Sequence, residues 1–298
     1  MCRTSTFSFF LTNWLAATAT WSLITQNAGP SGRFGHTSVW DEKGQKIWVH
    51  GGSGEDVLND LWVFDVKTST WIDQSNADQT NRSSTQVSYP SPRLHRHAMV
   101  WDPDRDTLWI AGGFDSGNFV KEVWKYAHNT WFRFADSTVP GPSARSDHVA
   151  IWDASNAAIW IHGGFDGMEK EDLWKFDTRE GSWHHIQVNI SPSARANHVA
   201  AWDDTNQALW IHGGHASEVF YRDLWRFSAS NSMWSLISSS GPSARAHHVS
   251  AWDTLNQIFW IHGGKDVAPR RDLWRFDAQN YKWQLITDHR GPSRRFDH

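Results

Sequence analysis

Two residue types recur in this chain at a spacing that invites chemistry. His36, His97, His148, His198, His248 and His298 occupy equivalent places in one series, and His50, His162, His212 and His262 in a second. Imidazole is the commonest metal ligand, so a metal centre is the first chemistry to weigh. Repetition argues against it. Equivalent positions of repeated units are related by rotation and do not converge within the ~2 Å that a metal bond requires. The histidines are therefore read as buried polar groups bonded to neighbours, with no metal and no cofactor.

The second recurrent type is arginine. Arg33, Arg145, Arg195, Arg245 and Arg295 each stand three residues before a histidine of the first series. A guanidinium is a rigid fork, suited to holding loop carbonyls and neighbouring repeats together. It is equally suited to a cationic collar that grips acidic side chains of a partner. Both roles stay open from sequence.

Catalytic signatures are thin. No Gly-x-Ser-x-Gly, His-Glu-x-x-His or phosphate loop occurs. Asp115, Asp166 and Asp266 supply carboxylates of the kind a glycosidase-like site uses, although carboxylates in loops are commonly solvated. The formal charge of −4, from 28 basic and 32 acidic side chains, gives no electrostatic reason to expect nucleic acid or an anionic membrane. The single cysteine, Cys2, excludes an internal disulfide and a cysteine-cluster metal site, and favours an intracellular location. No run approaches the ~18 apolar residues of a spanning helix. Residues 1–18 read as a leader, either disordered or a weak signal peptide, with a small-x-small end at Ala17-Thr18-Ala19. Secretion requires the second of these.

The elements that must position these residues are set by repetition. From 141 to 183 the skeleton is Arg145-x-x-His148, Trp152-Asp153, Trp160, Gly163-Gly164, Asp172-Leu173-Trp174 and Trp183, and it recurs to make five copies, the second with departures. Four tryptophans in each of five copies make 20 of the 22, leaving Trp14 and Trp21, so the indoles mark packing positions. Each copy divides into four short β-type runs. In the third copy these are 148–152, 159–162, 172–176 and a run around Trp183. Gly44, Asn156, Asn206 and Asn256, with Arg105 in the second copy, are expected to take the left-handed position of the first turn. Each four-stranded sheet has two apolar faces and must be sandwiched between copies, which radial stacking achieves.

The chain resembles the kelch repeat in its Arg-x-x-His opening, its double glycine after the second strand and its fourth-strand tryptophan. The double glycines are Gly51-Gly52, Gly112-Gly113, Gly163-Gly164, Gly213-Gly214 and Gly263-Gly264, and the tryptophans Trp71, Trp131, Trp183, Trp234 and Trp283. Tryptophan-aspartate propellers are rejected, because their pair closes the third strand, whereas Trp152-Asp153 lies on the first. The resemblance implies an all-β fold: a kelch-type β-propeller with five complete four-stranded blades near 31–74, 91–134, 143–186, 193–237 and 243–286, plus parts of a sixth. Segments 19–24 and 291–298 match a fourth strand and the start of a first, which suggests a piece of a six- or seven-bladed ring, with a complete five-bladed ring with ragged ends as the alternative. An unclosed ring would expose blade faces and be prone to aggregate. The copper-oxidase members of the kelch superfamily need a cysteine-tyrosine pair, which Cys2 does not supply, and the Ser-x-Asp-x-Gly-x-x-Trp turns of sialidase propellers are absent. The second copy departs most, with a polar insertion before Arg93 and Ala111 in place of histidine.

Antiparallel strand direction places the inter-blade links and the second-to-third loops at one end of the blades. Those loops, 53–59, 114–121, 165–171, 215–222 and 265–271, vary between copies, and variation on a rigid scaffold is where function is expected. Phe114, Asp115, Phe119, Met168, Phe220, Tyr221, Arg270 and Arg271, with Arg33, Arg145, Arg195 and Arg245, are the expected partner-binding residues. The reading is a non-catalytic scaffold for a protein or peptide partner. The alternative is a carbohydrate-binding or glycan-processing propeller.

Overall fold

The structure, a computed structural model, describes residues 24, 29–75 and 94–287. The leader, the insertion with Arg93, the expected partial blade at 19–23 and 291–298, Arg295 and His298 lie outside the described residues. The described residues are all-β, with strands and turns but no helix.

Five four-stranded antiparallel sheets follow one another along the chain. The first blade comprises β1 (Thr37–Asp41), β2 (Lys46–Ser53), β3 (Val57–Asp65) and β4 (Thr70–Asp73). The second comprises β5 (Ala98–Asp102), β6 (Thr107–Asp115), β7 (Asn118–Ala127) and β8 (Thr130–Ala135). The third comprises β9 (Val149–Asp153), β10 (Ala158–His162), β11 (Leu173–Asp177) and β12 (Ser182–His185). In the fourth, β13 (Val199–Asp203) and β14 (Ala208–His212) lead through a small hairpin, β15 (His215–Ala216) and β16 (Val219–Phe220), to β17 (Leu224–Ser228) and β18 (Met233–Ser238). The fifth comprises β19 (Val249–Asp253), β20 (Ile258–His262), β21 (Leu273–Asp277) and β22 (Lys282–Thr287). This is the blade composition of a kelch-type β-propeller. The described residues form two compact units: blades one to three, and blades four and five with residues 162–173.

The first turn of each blade differs from the sequence expectation by one residue. The positive φ falls on Gln45, Asp106, Ala157, Gln207 and Gln257, not on the residue before each. The reason is the aspartate that ends the first strand. Asp153 accepts from the Asn156 backbone N–H at 3.1 Å and from its amide at 2.8 Å, and Asp203 holds Asn206 in the same way. Asparagine serves here to reach that carboxylate, and the next residue takes the left-handed conformation.

Packing follows the tryptophans. Trp109, Trp124, Trp131, Trp160, Trp202, Trp210 and Trp234 are buried. Within the first unit Trp48 of β2 stacks on Trp101 of the next blade, with centroids 5.8 Å apart; within the second, Trp210 of β14 stacks on Trp252 at 6.0 Å. One core joins blades one and two through Leu61, Met99, Ile110 and Trp131, and another joins blades two and three through Val100, Trp109, Ile161 and Phe176. In the second unit Leu224, Phe259 and Phe276 pack between blades four and five.

The double glycine is explained by the neighbouring blade. Gly214 donates its N–H to the Arg245 carbonyl at 2.8 Å, and Gly52 and Gly113 make the same bond to Leu94 and Arg145. A Cβ on Gly213 would lie 2.7 Å from the Arg245 carbonyl oxygen, and its φ is +68°. Only glycine permits both that approach and that conformation.

Candidate functional site

The blade-opening segments and the second-to-third loops meet at the same end of each blade. Phe34 pairs with Ser53, His95 with Phe114, Ala196 with His215 and Ala246 with Lys265 in short antiparallel bridges. The candidate site is this loop end, taken separately in each unit.

The arginines lie beneath it. Arg195 is fully buried, donating to the Gly213 carbonyl at 2.9 Å and to both carboxylate oxygens of Asp223 at 2.7 and 2.9 Å. Arg245 repeats this with Gly263 and Asp272, and Arg33 with Gly51 and Asp60. Arg145 is also buried and donates to the Ser143 carbonyl and hydroxyl. The Asp-Leu-Trp motif of the third strand is thereby accounted for. Asp223 takes the fork, Leu224 enters the core, and the Trp225 indole N–H donates to the same carboxylate at 2.6 Å. Burial raises the Asp60, Asp223 and Asp272 carboxyls, but the hydrogen bonds and charge of their arginines outweigh it and hold each below its ordinary value. The guanidinium groups of Arg33, Arg195 and Arg245, expected at a collar, are each paired with an aspartate of their own blade. Arg145, at 2% exposed, is equally withdrawn from the surface.

The histidines form seams. His50 Nδ1 lies 3.0 Å from His97 Nε2, His162 Nδ1 3.1 Å from His198 Nε2, and His212 Nδ1 3.1 Å from His248 Nε2. Each pair joins the second strand of one blade to the opening of the first strand of the next. Burial, with the neighbouring Arg245, pushes His212 down to about 3; burial likewise takes His50 to about 4, with Arg33 assisting and Asp60 opposing. Among the described residues, no three His, Cys, Asp or Glu side chains are grouped to hold a metal ion, and no helix is long and apolar enough to cross a membrane.

At the loop end of the first unit, Phe114 and Phe119 face each other across a hairpin with centroids 5.1 Å apart, and His95 stacks on Phe114 at 5.4 Å. Asp115 accepts from the Ser116 hydroxyl. In the second unit, Met168 is 65% exposed at the tip of 165–171. Phe220 lies 5.7 Å from the His215 ring, which stacks on His247 at 5.9 Å. Tyr221 is turned to the Arg195 guanidinium, 4.4 Å from the ring centroid, so it braces the buried fork. Arg270 is ion-paired with Asp266, and Lys170 with Asp166 at 2.8 Å. Arg271 is half-buried at the end of its loop. Two of the three loop carboxylates are therefore neutralised by a cation four residues on.

Sequence reasoning missed two sets of residues. Val219 and Val267, at 59% and 99% exposed, occupy loop tips equivalent to that of Met168. Arg96, Asp147, Asn197 and His247, all with φ between 54° and 57°, stand at the position before the inner histidine. Their backbones are linked, Asp147 N–H to the Arg96 carbonyl at 3.0 Å and His247 N–H to the Asn197 carbonyl at 2.9 Å. The signal was present: in each Arg-x-x-His opening this residue changes completely, through Gly35, Arg96, Asp147, Asn197 and His247. Strained non-glycine backbone at a half-exposed polar position is a mark of functional sites.

Five such sheets, three of them opened by the forks of Arg33, Arg195 and Arg245 and all carrying a double glycine after the second strand, define a kelch-type propeller. A family model described as the KLHDC2/KLHL20/DRC7 Kelch-repeats domain matches residues 5–189 and 127–298, and the chain belongs to this kelch-repeat family. Its members are typically non-catalytic protein-interaction scaffolds. Among curated relatives, Tip elongation aberrant protein 3 of Schizosaccharomyces pombe is 34% identical over 222 residues, covering 74% of this chain and 16% of that protein. Mei4-dependent protein 6 of the same yeast is 25% identical, covering 54% and 24% respectively. Host cell factor 2 of Homo sapiens is 25% identical, covering 54% and 23%. The chain thus spans less than a quarter of the length of these relatives.

Proposed function

We propose that this chain is a non-catalytic binding module that takes a protein or peptide partner on its second-to-third loops and blade-opening residues. The observation that carries this reading is the contrast between the two layers of the loop end. The lower layer of arginine forks and glycines is repeated and internally satisfied. Above it stand side chains that differ from blade to blade: Met168, Val219 and Val267 as apolar tips, Asn197 and His247 as polar groups on constrained backbone. Exposed apolar residues rimmed by polar ones mark interaction surfaces. Phe114, Asp115, Phe119, Phe220, Arg270 and Arg271 extend the surface, whereas Tyr221 and the arginines below support it. The pairing of Asp166 and Asp266 within their own loops argues against a carboxylate pair for glycoside hydrolysis.

The test is proximity labelling and pull-down with the wild-type chain and with Met168→Asp, Val219→Asp and Val267→Asp combined, alongside a glycan array. The triple variant is expected to lose its partners while its melting temperature stays within about 2 °C, because exposed positions contribute little to stability. Undiminished capture by the variant refutes the surface. Array binding by a defined glycan, without protein partners, establishes the carbohydrate alternative.

A further inference from the structure

We propose that the imidazole pairs between neighbouring blades act as a proton-sensitive latch, in which acidification loosens the seam and the loop that springs from it. The geometry is repeated. His50–His97, His162–His198 and His212–His248 meet at 3.0 to 3.1 Å with rings close to perpendicular. Each of these six side chains is at most 5% exposed. A neutral pair shares one N–H between two nitrogens; two protonated rings at that separation repel each other in a site sealed from water.

Around His50–His97 and His212–His248 the surroundings oppose a proton. His212 is faced by Arg245, Asp223, Arg195 and Arg222, and Asp223 is already held by the Arg195 fork and the Trp225 indole. His248 is faced by His212, Arg245 and His247. The Trp283 ring covers His212 at 5.3 Å. In the first unit His50 is faced by Asp60 and Arg33 and covered by Trp131, and His97 by His50, His95, His148 and His36. Burial first, and these cations second, lower His212 to about 3.

The pair lies directly below the loop end. His212 is followed by Gly213 and Gly214, which open the hairpin of β15 and β16. A Cβ on Gly213 would be 2.8 Å from His248 Cε1, and Gly214 donates to the Arg245 carbonyl at 2.8 Å. Opening of the pair therefore frees the root of loop 215–222, and the opened rings, not the closed ones, take the proton. A depressed histidine leaves stability intact above the unfolded value of 6.5 and removes it as pH falls from there toward the folded value. At pH 5 a histidine shifted to about 3 lowers the folding constant about thirty-fold relative to neutral pH.

The full chain and its His212→Gln/His248→Gln variant are compared by urea denaturation at pH 7.5 and 5.0, with hydrogen exchange of the wild-type loops read at both. The wild type is expected to lose at least about thirty-fold more in folding constant than the variant, and loop 215–222 to gain exchange at pH 5.0. Loop 114–121 is the internal control, because Ala111 stands where the other blades carry the second-strand histidine. Parallel losses in the two proteins, or equal gains in both loops, overturn the latch. Should the variant fail to fold, wild-type imidazole resonances decide: rings of His212 and His248 that stay neutral at pH 5 support it, and rings that titrate near 6.5 overturn it.

Discussion

Replacing Asp223 by asparagine removes one charge from a site where its partner cannot escape. Arg195 has no solvent exposure, and its fork ends on the Gly213 carbonyl and the two Asp223 oxygens. Removing one member of a buried pair costs about 3–5 kcal/mol, since the remaining charge is left without its counterion. Asp223 is 22% exposed, so water offsets part of that loss and the lower end, about 3 kcal/mol, is expected. For a unit of this size each kcal/mol moves the melting temperature by about 2–4 °C, which gives a fall of about 6–12 °C. The assay is thermal and urea denaturation of Asp223→Asn, of Arg195→Met and of the double variant. Removal of both charges is expected to cost less than the sum of the single losses. A loss below about 0.5 kcal/mol for Asp223→Asn, with additive singles, would show a solvent-screened pair and an arginine open to partners, refuting the reasoning.

Two further outcomes follow from the same contacts. Gly213→Ala is expected to cost about 2 kcal/mol or more in urea denaturation, combining left-handed strain with a Cβ 2.7 Å from the Arg245 carbonyl oxygen. Gly167→Ala, at φ +115° with nothing within 4 Å, isolates the strain and should cost about half as much. Acid titration should show a separate loss at lower pH than the histidine window. The Asp60, Asp223 and Asp272 carboxyls are depressed, so their contribution is complete above the ordinary value of 3.8 and disappears as pH falls below it. Tryptophan fluorescence between pH 7 and 2 reads both stages, and a single transition centred near pH 4.5 contradicts the assignment.

The blades were legible because tryptophan, glycine and arginine recur for reasons that do not depend on context. An indole at every fourth strand and a glycine pair after every second strand describe one wedge pressed on another. The details that escaped are contacts between residues far apart in sequence. Asn156 reads as a left-handed residue until Asp153 is seen to hold its amide. Arg195 reads equally as a fork or a collar until Asp223, on the third strand, is found opposite. The Tyr221 ring lies over the buried Arg195 guanidinium, a contact that residue type does not reveal. Val219 and Val267 carry no signal in residue type, and only their exposure, 59% and 99%, marks them. The variable residue before each inner histidine was visible in the repeats themselves, but its meaning depends on a backbone conformation that residue type alone does not reveal.

The hydrogen bond from the double glycine of each of the first four blades to the following blade bears on how the chain is made. As the polypeptide leaves the ribosome, Gly52 has no acceptor until the segment carrying Leu94 has emerged, and Gly214 waits in the same way for Arg245. A newly synthesised wedge therefore gains this last hydrogen bond only from its successor. A pause in translation just after a glycine pair would hold that wedge unfinished, the moment at which chaperones have the most to grasp.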